Sequence, residues 1–165
     1  MSLKIINKNF YINISIILII FILDRITKLY IIYLDKINNG SEIFVSKFLD
    51  IYLIWNEGIA FGLLSFKSDN LYDILSTIII IIILVLCFLI SQSEGIKKYS
   101  LAMIIGGALG NVFDRVLNKA VPDFIDFHVG NFHWFIFNIA DIFITIGVFL
   151  MIFLEIIDNN KKKGL

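Results

Sequence analysis

The feature that most constrains this chain is an uninterrupted apolar stretch near its middle. Between Ile74 and Ile90 the sequence carries no charged residue, and positions 78–83 are consecutive isoleucines. A helix needs about 20 predominantly apolar residues to cross the hydrocarbon core of a bilayer. Isoleucine favours strands by intrinsic propensity, but within lipid a lone segment satisfies its backbone hydrogen bonds only as a helix. The stretch therefore predicts a membrane-spanning helix.

Three further segments are long and apolar enough to span a bilayer, so the sequence predicts one integral membrane domain over residues 1–165. We expect the four spans to cover residues of about 10–33, 71–90, 99–117 and 134–157. The composition agrees, because 59% of the residues are hydrophobic and only 17% are charged, against about 25% charged residues in soluble domains. The same composition excludes a disordered chain, and a single cysteine excludes a disulfide scaffold.

Lysines in the short connections predict the orientation, because cytoplasmic loops of membrane proteins are enriched in Lys and Arg. Lys4 and Lys8 precede the first span, Lys97 and Lys98 separate the second from the third, and Lys161–Lys163 follow the fourth. We therefore expect both termini to be cytoplasmic and the two remaining loops to lie on the outer side. Lys4 and Lys8 are also compatible with a cleaved signal peptide, but no small-residue cleavage site follows, so we expect the first span to be retained.

The two outer loops are rich in aromatic and β-branched residues. Residues 48–56 and 59–64 have the composition of short strands around the turn-forming sequence at positions 56–58. Residues 124–137 are equally aromatic, and we expect a loop at the level of the lipid headgroups, where Trp and Tyr are favoured. This surface is either an aromatic belt alone or also a surface that binds a ligand.

Polar residues interrupt three of the four predicted spans at one depth. With the orientation above they all fall in the outer half of the bilayer, and at about 1.5 Å per helical residue Asp141 lies roughly 10 Å beyond Trp134. A charge inside a span costs several kcal/mol unless it is paired or solvated, so the coincidence predicts a shared polar cavity. The simpler interpretation of Asp24 and Lys28 is an ion pair between neighbours four apart on one helix. The residues concerned are Asp24, Arg25, Lys28, Asn111, Asp114, Arg115, Asn138 and Asp141.

Carboxylates offer the chemistry that the residue pattern supports best. The sequence has no G-x-S-x-G motif for a serine nucleophile, its only cysteine lies in an apolar span, and His128 and His133 lack the spacing of metal ligands. We therefore expect no metal and no cofactor. A loop aspartate beside Asp141 would form a pair that shares one proton near neutral pH, as in aspartic proteases. Spacing alone leaves Asp123 and Asp126 as equal candidates for that loop aspartate.

Five short blocks of polar and small residues occur in order along the chain. They are Asp24–Lys28 (D-x-x-[ST]-K), Asn56–Phe61 (N-x-G-x-A-[FW]), Gly106–Arg115 (G-G-x-x-G-N-x-x-D-R), Val121–Phe124 (V-x-D-[FY]) and Phe137–Asp141 (F-N-x-A-D). Together they resemble the motifs of the bacterial lipoprotein signal peptidases, the type II signal peptidases. Each block alone is weak, but five in order on four predicted spans are highly specific, and the resemblance covers nearly the whole chain.

The resemblance implies an all-α membrane protein of four transmembrane helices with a small extracytoplasmic β-sheet lying on the outer leaflet. It also implies an aspartic endopeptidase of the bacterial plasma membrane, with its active site towards the extracytoplasmic side, that cleaves prolipoproteins before a diacylglyceryl-modified cysteine. The catalytic residues that it implies are Asp123 and Asp141. The residues that it implies bind substrate or support the pair are Asn56, Gly58, Asn111, Arg115, Asn138, Asp24 and Lys28.

The expected partners follow from this implied activity. They are diacylglyceryl-modified prolipoproteins and membrane lipid, and we expect a monomer. Nucleic acid is not expected, because 14 basic residues balance 14 acidic ones and give no basic field. The alternative function is a small ion or proton-coupled membrane transporter with Asp141 and Arg115 as relay groups. A transporter predicts polar residues at several depths, whereas the inner halves of the predicted spans lack charge.

Overall fold

The protein is mostly helical and has a small antiparallel sheet. A computed structural model describes residues 8–58 and 69–163, so the strand predicted over residues 59–64 lies outside the described residues. In chain order the described elements are α1 (Lys8–Ile37), β1 (Phe44–Val45), β2 (Leu49–Asn56), α2 (Asp69–Gln92), α3 (Ile96–Asn118), β3 (Val121–Val129), β4 (Phe132–Phe137) and α4 (Ile139–Lys163).

Helix α3 lies at the centre of the bundle and packs against the other three helices. Small residues on α3 make this close packing possible. A Cβ atom at Gly107 would lie 2.5 Å from the carbonyl oxygen of Ala140 on α4, where there is no room for a side chain. Gly106 faces α1, and a Cβ atom there would lie 3.0 Å from that of Ile20. Gly106, Gly107 and Gly110 therefore serve helix packing, and the four-residue spacing of Gly106 and Gly110 is typical of such contacts.

Three of the described helices are long and apolar enough to cross a membrane, namely Tyr72–Gln92, Ile96–Asn118 and Ile139–Asn159. Most side chains of the first and third lie on the surface of the bundle, whereas most of the second is buried. Helices predicted over residues 10–33, 71–90 and 99–117 are present as α1, α2 and α3, each one to four residues longer at either end.

The predicted start of the fourth span at Trp134 is wrong. Residues 132–137 form strand β4, and α4 begins only at Ile139. The apolar residues of the strand run directly into those of the helix, so hydropathy does not separate the two elements. Asp141 lies in the first turn of α4, and the predicted depth of roughly 10 Å within its span is therefore wrong as well.

The sheet has the strand order β1-β2-β3-β4, and every neighbouring pair is antiparallel. The strand predicted over residues 48–56 is confirmed as β2, but residues 124–137, predicted as a loop, form most of β3 and β4. A two-residue turn at positions 130–131 joins these strands, with Val129 paired to Phe132. Gly130 has a φ of 60° in this turn, a conformation that glycine adopts without steric cost.

Both neighbours of β3 contain an extra residue. Residues 52–53 of β2 lie opposite the single residue Phe124 of β3, between the pairs Ile51–Ile125 and Ile54–Asp123. Residues 134–135 of β4 lie opposite the single residue Phe127. These two β-bulges interrupt the hydrogen-bonded ladder on either side of β3.

Candidate active site

Asp123 lies on β3, where the sheet packs against α1 and α3. Its side chain is buried, with 4% exposed, and each carboxylate oxygen accepts a hydrogen bond from an amide. Asn56, at the end of β2, donates from Nδ2 to Oδ2 at 2.8 Å. Asn138, directly before α4, donates from Nδ2 to Oδ1 at 2.6 Å. A strand end and a helix start therefore hold this carboxylate from two sides.

Asp141 is held by the residue that caps its own helix. Asn138 Oδ1 accepts from the backbone N–H of Asp141 at 3.1 Å, and the backbone N–H of Asn138 donates to Asp141 Oδ2 at 3.2 Å. This reciprocal arrangement is a capping box. The other oxygen of Asp141 accepts from Nδ2 of Asn111 on α3 at 2.8 Å. Asp141 is half-buried, whereas Asp123 is buried.

Asn138 therefore contacts both aspartates and links them to α3. Its Nδ2 also donates to Asn111 Oδ1 at 3.1 Å. Burial first and the charge of Asp141 second raise the pKa of Asp123 to about 6. The hydrogen bonds from Asn56 and Asn138 act in the opposite direction on that pKa.

A buried ion cluster, formed by Asp24, Arg25, Lys28 and Asp114, joins α1 to α3 beside the aspartates. Lys28 Nζ lies 2.9 Å from Asp24 Oδ2 and 2.8 Å from Asp114 Oδ2, and Arg25 contacts both carboxylates. Lys28 also donates to Asn111 Oδ1 at 2.9 Å. The predicted pair of Asp24 and Lys28 is therefore present, but it belongs to a larger cluster that two helices share.

Asp24 also contacts the start of α4. Its Oδ1 accepts from the backbone N–H of Ala140 at 3.1 Å, at the helix end where a negative charge is favourable. This approach depends on Gly110 of α3, since a Cβ atom there would lie 2.5 Å from Asp24 Oδ2. The carboxylate of Asp24 therefore fixes the helix turn that carries Asp141.

Arg115 holds the residues that follow β2. Its Nη2 donates to the carbonyl oxygen of Gly58 at 3.3 Å, and its Nη1 donates to the carbonyl oxygen of Asn111 at 3.4 Å. The backbone N–H of Gly58 in turn donates to Asn56 Oδ1 at 2.9 Å. Arg115 and Gly58 thus reach Asp123 through Asn56.

All nine predicted site residues belong to one connected hydrogen-bonded set, and the structure adds residues to it. Asp114 binds Lys28 and Arg25. Its position three residues after Asn111, on the same helix face, could have identified it as a site residue from the sequence. Spacing alone made Asp126 as good a candidate as Asp123 for the catalytic loop aspartate. Asp126 lies on the other side of β3, however, and contacts Tyr52 and His133.

The histidines and the cysteine lie away from the two aspartates. His128 and His133 stack with ring centroids 5.0 Å apart on the sheet. Within residues 8–58 and 69–163, no three His, Cys, Asp or Glu side chains are arranged to bind a metal ion. Cys87 is exposed on α2.

An apolar cavity of about 700 Å³ opens beside Asp141. It lies between the sheet and α4 and is lined by aromatic and aliphatic side chains. The lining residues are Phe127, Trp134, Phe135, Phe137, Asp141, Ile142, Thr145, Ile146 and Phe149. A carboxylate at the edge of an apolar cavity suits a ligand that has both a polar reacting group and a hydrocarbon part.

Comparison with known proteins agrees with these features. The chain matches the family model described as "Signal peptidase (SPase) II" over residues 16–157. The lipoprotein signal peptidase of Pelagibacter ubique is 50% identical over 155 residues, which cover 94% of this chain and 93% of the relative. The lipoprotein signal peptidase of Anaplasma marginale is 38% identical over 156 residues, which cover 93% and 89% of the two chains.

Solved structures show the same fold. One, described as a bacterial membrane enzyme determined by the in meso method at 2.3 Å resolution, has a TM-score of 0.77 and 34% identity over 91% of this chain and 90% of its own. A second with the same description, at 1.9 Å resolution, has a TM-score of 0.71 and 36% identity over 86% and 90%. The chain therefore belongs to the lipoprotein signal peptidase family, the type II signal peptidases, which remove signal peptides from prolipoproteins.

Proposed function

We propose that this protein is an aspartic endopeptidase in which Asp123 and Asp141 are the catalytic pair. The bond that it cleaves directly precedes the diacylglyceryl-modified cysteine of a prolipoprotein. The observation that carries the proposal is the position of Asn138, whose Nδ2 lies 2.6 Å from Asp123 Oδ1 and whose Oδ1 lies 3.1 Å from the backbone nitrogen of Asp141. One amide side chain thereby brings together a carboxyl group from a strand and one from a helix.

Hydrolysis follows when the two carboxyl groups share one proton. The raised pKa of Asp123, about 6, supports such sharing, because two nearby carboxyl groups do not both ionise easily. The ionised group takes a proton from water, whose oxygen attacks the peptide carbonyl carbon, while the protonated group donates to the carbonyl oxygen. Collapse of the tetrahedral intermediate breaks the C–N bond, and the leaving nitrogen takes a proton from the pair.

The other predicted site residues support the pair through the contacts described above. Asn56 and Asn111 each orient one of the two carboxylates. Arg115 fixes Gly58, which in turn fixes Asn56. The buried ion cluster holds Asn111 and the first turn of α4 in place. Each of these residues therefore acts by limiting where the carboxyl groups lie, which is the requirement for proton transfer at short range.

We also propose that α1 is a fourth membrane span. Asp24 and Lys28 are fully buried against α3 and α4, so their charges do not meet lipid. The outward face of α1 is apolar and exposed, as at Leu18, Ile22 and Leu29. A helix of 30 residues is long enough to span a bilayer. The lysine distribution then supports cytoplasmic termini, with the active site towards the extracytoplasmic side of the plasma membrane.

Exposed aromatic residues on the strands support a sheet that lies on the outer leaflet. Phe44, Phe127, Phe132 and Trp134 all project from it, and aromatic side chains are favoured at the membrane interface. The cavity beside Asp141 supports a lipid-modified substrate, since its walls are apolar. The hydrogen bond from the Ala140 backbone to Asp24 joins helices from both ends of the chain, which supports a single domain over residues 1–165. We propose that this domain acts as a monomer.

The test is cleavage of a synthetic prolipopeptide by the purified protein, with and without the diacylglyceryl group, read by mass spectrometry. Asp123→Asn and Asp141→Asn keep the size of each side chain but remove the shared proton, so each is expected to abolish cleavage in protein that still folds. Asp73→Asn is the matched control, because Asp73 is exposed and pairs with Lys119. Near-normal turnover in either dyad variant would show that the pair is not catalytic.

Charged residues in the predicted spans also allowed an alternative function, a small ion or proton-coupled transporter. Neither the family match nor the relatives support that alternative. The same cleavage assay distinguishes protease classes. A chelator and a thiol-alkylating reagent are expected to leave the rate unchanged, since the proposed steps use only carboxyl groups. Loss of activity with a chelator and recovery with zinc would contradict the aspartic mechanism.

A further inference from the structure

Asp126 is a buried carboxylate that the proposed mechanism does not use. It follows Asp123 by three positions on β3, so the two side chains point to opposite faces of the strand. Asp126 is 0% exposed. Its Oδ2 accepts from the hydroxyl of Tyr52 at 2.9 Å and lies 2.7 Å from Nδ1 of His133. A carboxylate buried to this extent is costly unless it is paired and hydrogen-bonded, so these contacts need an explanation.

The two partners of Asp126 come from the strands on either side of β3, at the bulge in each strand. Tyr52 belongs to the bulge of β2, and His133 directly precedes the bulge at residues 134–135 of β4. Because a bulge interrupts the ladder, backbone hydrogen bonds fix the register of β3 less firmly at these points. A slip by one residue would turn every side chain of β3 to the other face, and Asp123 would leave the site.

We infer that Asp126, Tyr52 and His133 form a register clamp that positions Asp123 for catalysis. The clamp ties β3 to both neighbouring strands across their bulges, three residues from Asp123. Asp126 is therefore a positioning residue that acts through the strand. The inference rests on the proposed catalytic role of Asp123 and Asp141.

The charged and titratable groups around the clamp suit this role. Burial and the hydrogen bond to Asp126 raise the pKa of Tyr52 to about 12, so its hydroxyl remains a donor at any pH near neutrality. Asp50 lies opposite Asp126 in the register of β2 and β3, and like charges in this position repel. Each carboxylate has its own histidine, since His128 Nε2 lies 3.2 Å from Asp50 Oδ2 while His133 contacts Asp126.

Removal of the clamp is expected to slow catalysis and to change its pH dependence. Asp126→Ala leaves Tyr52 and His133 without their acceptor. We expect kcat to fall on the order of 10- to 100-fold, with KM within about twofold, because a misplacement of about 1 Å at a reacting group has an effect of this size. A displaced Asp123 loses both the charge of Asp141, which raises its pKa, and the hydrogen bonds from Asn56 and Asn138, which lower it. We therefore expect the alkaline limb of the kcat profile to move away from its wild-type position. Asp126→Asn retains an acceptor oxygen and is expected to have a milder effect.

The experiment measures kcat, KM and the pH profile of purified full-length variants with a diacylglyceryl prolipopeptide, together with their thermal unfolding. Tyr52→Phe removes one hydrogen bond and leaves the buried carboxylate in place, so it gives an answer even where Asp126→Ala does not fold. Tyr33→Phe is the matched control on an exposed tyrosine of α1. In the double variant Tyr52→Phe/Asp126→Ala the effects are not expected to add, because both substitutions remove the same hydrogen bond.

A lower kcat together with a shifted alkaline limb in Asp126→Ala or Tyr52→Phe supports the register clamp. Wild-type kcat in both variants overturns the register clamp. So does a kcat that falls only in proportion to the loss of folded protein while the alkaline limb of the pH profile stays in its wild-type position. Asp123→Asn separates this inference from the proposed function. If Asp123→Asn retains turnover, both the catalytic pair and the register clamp are overturned. If Asp123→Asn is inactive while Asp126→Ala and Tyr52→Phe are fully active, only the register clamp is overturned.

Discussion

Asn138 gives the sharpest test of how the site is built, because one side chain performs two separable tasks. Its Nδ2 donates to Asp123, and its Oδ1 caps α4 by accepting from the backbone N–H of Asp141. Asn138→Ala removes both interactions, together with the hydrogen bond from Nδ2 to Asn111. Asn138→Ser keeps an oxygen that caps a helix but has no amide to reach Asp123. The two variants therefore separate the stability of α4 from the orientation of the proposed catalytic carboxylate.

The expected magnitudes follow from these contacts. Loss of an N-cap costs about 1 kcal/mol of unfolding free energy, so Asn138→Ala is expected to be less stable than Asn138→Ser by about that amount. Loss of a hydrogen bond to a charged group costs about 1.5–3 kcal/mol, which lowers kcat about 10- to 100-fold in both variants. The same hydrogen bond lowers the pKa of Asp123, so both substitutions are expected to move the alkaline limb of the rate profile to higher pH.

The assay is prolipopeptide cleavage across pH, with thermal unfolding of the same detergent-solubilised samples followed by circular dichroism. The expected pattern is two equally slow variants that differ in stability. Wild-type kcat in Asn138→Ser would show that the amide does not orient Asp123. Equal stability of the alanine and serine variants would show that Asn138 does not cap α4, and either result refutes the dual role.

Three further predictions concern neighbouring contacts. Gly110→Ala places a Cβ atom 2.5 Å from Asp24 Oδ2, and we expect a loss of about 1–3 kcal/mol in unfolding free energy together with a lower kcat; unchanged thermal unfolding would contradict this. Asn56→Ala removes a 2.8 Å hydrogen bond to Asp123 and is expected to lower kcat about 10- to 100-fold, whereas a wild-type rate would assign Asn56 no orienting role. Burial and the charge of Asp141 raise the pKa of Asp123 from 3.8 to about 6, so the native state holds this proton more firmly than the unfolded chain and loses stability as pH rises between these values. Unfolding measured against pH is expected to show this loss in the wild type and not in Asp123→Asn.

Hydropathy predicted the helices but not the point where the sheet ends and α4 begins. Trp134 and Phe137 are as apolar as the helix that follows, so a hydropathy window extends the span over β4. A more local signal was present, because Asn138 followed three residues later by Asp141 ahead of an apolar run has the pattern of a capping box. The structure shows both of its hydrogen bonds.

The hairpin of β3 and β4 also had a signal in the sequence. A Gly-Asn pair at positions 130–131 with apolar residues on both sides is typical of a two-residue hairpin turn, and the structure has that turn. The aromatic composition of residues 124–137 favoured an interfacial loop instead. The bulges in β2 and β4 are different, because they depend on which residues of distant strands pair, and no local pattern contains that information.

The sequence indicated a polar cluster, but spacing did not give its partners. Arg25 and Asp114 are 89 positions apart, and their contact depends on how α1 packs against α3. The choice between Asp123 and Asp126 likewise depends on which face of β3 turns towards Asn56 and Asn138, which becomes definite only once the strand is formed. The motif resemblance preferred Asp123, and the structure places that residue beside Asn138.

The hydrogen bond from the Ala140 backbone to Asp24 joins the first described helix to the last. During synthesis the N-terminal segments emerge first, and the ion pair of Asp24 with Lys28 forms within α1 alone. Asp141 reaches its place only when α4 docks on α3 and on the carboxylate of Asp24. On the proposed mechanism, a nascent chain halted before that step has no opposing carboxyl group for Asp123, so we expect peptidase activity to require the docking of α4.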